Sequence, residues 1–151
     1  MKKIIVFGIS SIILWSCNNF NEKPAATQQE ETHATHQHKE SFEALELNNG
    51  EKWKVNDEMK PFVQKGEELV NTYIQKGKTD YKTIAEQIKD QNSQLIKSCT
   101  MDGKSHDELH KWLHPHLELV KELENESNVE KVHEIISKIQ YSYNLYHQYF
   151  N

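Results

Sequence analysis

The stretch DYKTIAEQIKDQNSQLIKSCTMDGKSHDELHKWL, residues 80–113, decides the fold of this chain. Its apolar residues Tyr81, Ile84, Ala85, Ile88, Leu95, Ile96 and Cys99 recur every three or four positions, which puts them on one stripe of a helix. This helix is expected to start near Asp80, and Gly103 breaks the pattern. A new period then starts with Leu109, Trp112, Leu113, His116, Leu117, Val120 and Leu123. Ser105 and Glu108 read as a Ser-x-x-Glu capping box opening this third helix, and Pro115 inside it predicts a bend.

The same reasoning extends to both sides. Upstream, Asn56 or Asp57 caps a first helix with Met59, Phe62, Val63, Leu69, Val70, Tyr73 and Ile74 inward, Pro61 tolerable in its first turn and Gly77 beyond its end. Downstream, Ser127 with Glu130 reads as a second capping box. The fourth helix it opens carries Val129, Val132, Ile136, Ile139, Tyr143, Tyr146 and Phe150 inward, with His147 on the edge of the stripe. Four helices with short links predict an all-α, antiparallel up-down-up-down four-helix bundle. Before it, Leu45, Leu47, Trp53 and Val55 alternate with polar residues around Asn48-Asn49-Gly50. An Asn-Gly pair supplies positive φ angles, so a short β-hairpin is expected. Hairpin and bundle together make one domain over 42–151, enough chain for a single core.

The N-terminal residues speak to location. Lys2 and Lys3 precede an apolar run from Ile4 to Trp15 that is short for a membrane-spanning helix, so 1–16 reads as a secretory signal. Leu14-Trp15-Ser16-Cys17 resembles a bacterial lipobox, although Trp15 is bulkier than that pattern prefers. Cys17 is therefore expected to be the lipidated N-terminus, anchoring the protein to a membrane of the cell envelope. Residues 17–41 are rich in Asn, Gln, Glu, Thr and His and poor in large apolar residues, the composition of a flexible stalk. Within it His33, His36 and His38 form a small tract suited to weak metal capture.

Charge and thiol count narrow the partners. Loss of Lys2 and Lys3 leaves 16 basic against 23 acidic residues, a net charge of −7, which argues against nucleic acid. With Cys17 consumed by lipid, Cys99 is a single thiol in an oxidising compartment. Burial, an intermolecular disulfide or metal ligation would each account for it.

Antiparallel order gathers the start of helix one, the end of helix two, the start of helix three and the end of helix four at one pole. Met59, Cys99, Met101, His106, His110 and His147 are all expected there. His106 and His110 lie one turn apart and share a face, the spacing at which two imidazoles approach one ion; His114 extends the row towards solvent. His116 falls in the middle of the apolar stripe and reads as a core histidine with one hydrogen-bond partner. Thiolate, thioether and imidazole together suit Cu(I) best and Zn(II) next. The expected metal site is thus Cys99, Met101, His106, His110 and His147, binding copper or, second, zinc.

Two other readings stand beside it. Met59 and His147 are placed like the axial ligands of periplasmic four-helix b-type cytochromes, which makes haem an alternative cofactor. In the other, Cys99 and Met101 are core residues of a metal-free interaction module whose partner is another envelope protein. Catalysis is not expected. His106-Asp107-Glu108-Leu109-His110 has Asp where a zinc protease needs Glu, and the single Glu130-x-x-His133 is half of a di-iron motif. No nucleophile elbow, Walker loop, dinucleotide fingerprint or Cys-x-x-Cys pair occurs.

From about Asn48 to Phe150 the chain resembles a group of small lipoproteins of Bacteroidota. The residues that carry this are Leu47-Asn48-Asn49-Gly50-Glu51-Lys52-Trp53 and the motif C-T-M-x-G-x-x-H-x-x-L-H from Cys99 to His110. The resemblance implies a helical envelope lipoprotein and brings no activity with it.

Overall fold

A computed structural model describes residues 44–77 and 79–151. The expected signal sequence, Cys17, the expected stalk and His33, His36 and His38 lie outside the described residues, as do 42 and 43 at the start of the expected domain. The described chain is helical: α1 (Lys60–Gln75), α2 (Tyr81–Ser98), α3 (Gly103–Asn125) and α4 (Val129–Tyr149), with a 3-10 turn over Asp57–Met59 leading into α1. Each helix packs on the next, and α4 also packs on α1. No helix among the described residues is long and apolar enough to cross a membrane.

The inward residues are largely those the periodicity marks. Val63, Val70 and Tyr73 of α1, Ile84, Ala85, Ile88 and Leu95 of α2, Leu109, Trp112, Leu113, Val120 and Leu123 of α3, and Val132, Ile136, Ile139, Tyr143 and Tyr146 of α4 are buried together. Three expected core residues are instead exposed: Ile74, Ile96 and Val129. Ile74 and Val129 stand in terminal turns, where less of a neighbouring helix remains to cover them, and Ile96 sits on the edge of its stripe near the end of α2.

The helix starts also differ from expectation. Asp80, near the expected start of α2, caps it by accepting from the Thr83 amide at 3.1 Å. Ser105 does not cap α3. Its hydroxyl donates to the Asp102 carbonyl, and the Glu108 carboxylate accepts from the Glu46 amide at 2.9 Å and pairs with Lys111 at 2.8 Å. A tertiary contact has taken the carboxylate that a capping box would use. At α4 the cap is Asn128, whose Oδ1 accepts from the Glu130 and Lys131 amides, while Glu126 accepts from the amides of Ser127 and Asn128.

The expected hairpin is reduced to its turn. Asn49 and Gly50 take φ of 52° and 90°, as an Asn-Gly turn requires, and Asn48 and Glu51 exchange backbone hydrogen bonds. The pairing goes no further, because the second arm bonds elsewhere. The Trp53 amide donates to the Tyr149 carbonyl, the Asn151 amide to the Trp53 carbonyl and the Val55 amide to the Asn151 carbonyl, a parallel bridge between Trp53 and Phe150. The first arm is held by side chains, Glu46 meeting Glu108 through its amide and Trp53 Nε1 through its carbonyl. Buried Trp53 and Phe150 thereby tie the segment before α1 to the end of α4.

One close approach fixes how α1 meets α4. A Cβ at Gly66 would overlap the Tyr143 hydroxyl and lie 3.0 Å from its Cζ, so only glycine admits this ring. Gly66→Ala should lower the unfolding free energy by about 1–3 kcal/mol in urea titrations, even though alanine favours helix. The Tyr143 hydroxyl has no hydrogen-bond partner, so Tyr143→Phe should cost little alone and should recover part of the Gly66→Ala loss. Strictly additive losses would contradict the close approach.

Candidate metal centre

Three histidines stand in a row on α3, one turn apart. His110 Nε2 lies 3.0 Å from His106 Nε2, and His110 Nδ1 lies 2.8 Å from His114 Nε2. Successive rings meet edge to face, with centroids 4.4 and 4.9 Å apart. His106 and His110 are half-buried and His114 is exposed. Burial, helped by the neighbouring His106 and His114, pushes the His110 imidazole below its ordinary range, with Asp107 opposing. The shift favours the neutral ring, the form in which a nitrogen has a lone pair to donate.

The row begins just after the link between α2 and α3. Cys99 ends α2 in extended conformation as a free thiol, half-buried, and with Met101 it packs against the core. Asn56 holds this link. Its Nδ2 donates to the Ser98 carbonyl at 2.9 Å and its Oδ1 accepts from the Thr100 amide at 3.2 Å, so one carboxamide grips the backbone on both sides of Cys99. Gly103, at φ 56°, then turns the chain into α3.

The remaining expected ligands are engaged elsewhere. His147 is half-exposed on α4, and its Nε2 lies 2.8 Å from Glu67 Oε2 of α1, an ion pair whenever the ring is protonated. Met59 is wholly buried in the core. Among the described residues no group of three or more His, Cys, Asp or Glu side chains is arranged to hold a metal ion. What the fold brings together from the expected set is the His106–His110 pair, with His114 as its outer neighbour. At metal–nitrogen distances of about 2.05 Å, two nitrogens 3.0 Å apart subtend about 95° at a shared ion, so an opening of a few tenths of an ångström reaches tetrahedral geometry.

Sequence reasoning missed two features. Glu108 is buried against Glu46, where burial raises its carboxyl but the Glu46 amide, Lys111 and Lys104 together outweigh that and hold it below the usual carboxylate range. No spacing rule pairs residues so distant in sequence. The second is a mainly apolar cleft of about 370 Å³ lined by Trp112, Leu119, Ser142, Leu145, Tyr149 and the lysines Lys111 and Lys138, on the side of α3 and α4 that Leu45 partly covers. No protein family, curated protein or solved structure matches the chain.

His116 lies in the interior, as its place in the stripe suggests. Its Nδ1 is 3.0 Å from Ser142 Oγ, its ring stacks on Trp112 at 5.0 Å and meets Tyr143 edge-on at 4.7 Å, and its Nε2 has no hydrogen-bond partner. Burial drives this imidazole down to about 3. The unfolded chain takes up that proton near pH 6.5, so between these values the unfolded state binds more protons than the folded one. Stability from this residue is complete above about pH 6.5 and is lost as pH falls towards 3, at up to about 1.4 kcal/mol per pH unit. Urea unfolding at pH values from about 4 to 7 should show a steeper loss for wild type than for His116→Gln. Equal slopes would mean that His116 titrates normally in the folded protein.

Proposed function

We propose that the protein is a lipid-anchored protein of the bacterial cell envelope that binds copper, or second zinc, at the α2–α3 junction, buffering the ion or handing it on. Cys99, Met101, His106 and His110 are the proposed ligands. We leave His147 out of the set, since its Nε2 faces Glu67 of α1 and no contact among the described residues joins it to the histidine row, and the stalk histidines His33, His36 and His38 serve as a weak capture site. The observation that carries this reading is the 3.0 Å approach of the His106 and His110 Nε2 atoms, beginning a few residues after a half-buried free thiol and a thioether. Two imidazoles, a thiol and a thioether form a donor set suited to a soft ion.

The lipobox-like Leu14 to Cys17 and the resemblance to Bacteroidota lipoproteins support the envelope placement, with residues 1–16 as signal and 17–41 as stalk. The packing of each helix on the next and of α4 on α1 supports an up-down-up-down bundle for 42–151. The haem reading gains nothing from the fold, since Met59 is sealed in the core while His147 turns to Glu67. The metal-free interaction module draws on a different observation: Cys99 and Met101 pack against the core, and Tyr141 is exposed beside the apolar cleft.

The protein should be prepared without a histidine tag and with His33, His36 and His38 replaced, loaded with Cu(I) under anaerobic conditions and measured by elemental mass spectrometry. Near-stoichiometric copper is expected. Cys99→Ser and His106→Ala should each weaken binding about tenfold or more, roughly 1.4 kcal/mol, without lowering thermal stability by a comparable amount. Bound iron would favour haem. No retained metal, with Cys99→Ser lowering stability alone, would favour the interaction module.

A further inference from the structure

His110 is the ring in the histidine row with both nitrogens engaged, Nε2 towards His106 and Nδ1 towards His114. A neutral imidazole has one proton and one lone pair. An ion shared by His106 and His110 must therefore use Nε2 of His110, whereas one shared by His110 and His114 must use Nδ1. These nitrogens face opposite neighbours, so the three rings cannot close on a single ion as the row stands. The row has an inner and an outer position, and neutral His110 serves one at a time.

The two positions differ in surroundings. The outer one includes exposed His114, while the inner one is formed by two half-buried rings and lies on the side of the row nearest in sequence to Met101 and Cys99. We infer that the row is an entry path on which a single soft ion binds first between His110 and His114 and then moves inward to His106 and His110. This deepens the metal-binding reading and rests on it.

Protons balance without any change in the outer two rings. With the ion outside, His110 Nδ1 and His114 Nε2 donate lone pairs to it, and the His110 proton sits on Nε2, directed at the lone pair of His106 Nε2. With the ion inside, His106 Nε2 and His110 Nε2 are donors beside Met101 and the Cys99 thiolate, whose proton has gone to solvent, and the His110 proton sits on Nδ1, directed at His114 Nε2. His106 and His114 keep their protons on Nδ1 throughout. Inward movement of the ion is thus coupled to exchange of one proton from Nε2 to Nδ1 of His110 through solvent and to loss of the Cys99 thiol proton to solvent, and the ion's oxidation state does not change.

The test is the rate and equilibrium of Cu(I) uptake by the full chain in detergent, with His33, His36 and His38 replaced by Gln, from a chromogenic Cu(I) chelator followed by stopped flow. One Cu(I) per chain is expected. His114→Ala should slow loading about tenfold while leaving equilibrium affinity within about twofold, and His106→Ala should lower affinity about tenfold or more. His114 is exposed, so its substitution leaves the core untouched; unchanged far-ultraviolet circular dichroism would check this. Uptake of two ions per chain, an unchanged loading rate in His114→Ala, or equal affinity losses in the two variants would each overturn the path while leaving metal binding intact. No uptake by the parent chain would instead overturn the metal-binding reading itself.

Discussion

The α2–α3 junction depends on the carboxamide of Asn56. Its two polar atoms take the Ser98 carbonyl and the Thr100 amide, and so hold the backbone on both sides of Cys99 from the segment that precedes α1. These are backbone groups beyond the regular hydrogen bonding of α2, and an amide side chain matches one acceptor and one donor at once. The 3-10 turn that begins at Asp57 ends in wholly buried Met59, and Asn56 is itself flanked by buried Val55. The clamp is therefore anchored in the core, and the thiol it positions inherits that rigidity.

Rotation of α3 is set independently by its other face. Trp112 donates to the Ser142 carbonyl, and His116 bonds the Ser142 hydroxyl while its ring is held between Trp112 and Tyr143. With Trp112, Leu113, His116 and Val120 facing inward, the residues at 106, 110 and 114 fall along the flank of that stripe, one turn apart, running from half-buried His106 out to exposed His114. The packing that orients Trp112 and His116 thus also sets where the histidine row lies on α3. The unpartnered Nε2 of His116 is a cost the interior carries, consistent with a ring kept neutral by burial.

The existence of the four helices was legible because their apolar residues repeat at helical spacing, and the His106–His110–His114 row followed from the same arithmetic. What sequence left hidden were contacts between residues distant along the chain. Glu108 had the spacing of a capping box, yet the Glu46 amide took its carboxylate. Trp53 and Val55 alternated like a hairpin arm, yet their backbone partners are Tyr149 and Asn151. His147 was expected beside the other donors because bundle order sends its helix end to their pole, but pole order does not fix which way a side chain turns, and Glu67 lay within reach. Local periodicity carries no information about which long-range polar partner wins.

Mixed sulfur and nitrogen ligation at the α2–α3 junction is the proposal on which the functional reading rests. X-ray absorption at the copper edge of the Cu(I)-loaded protein, with the stalk histidines replaced, reads the ligand atoms directly. Both sulfur scattering near 2.3 Å and imidazole scattering near 2.0 Å are expected, by analogy with the metal–ligand distances such donors give zinc, roughly. A first shell of nitrogen and oxygen alone would place the ion away from Cys99 and Met101 and contradict the central claim.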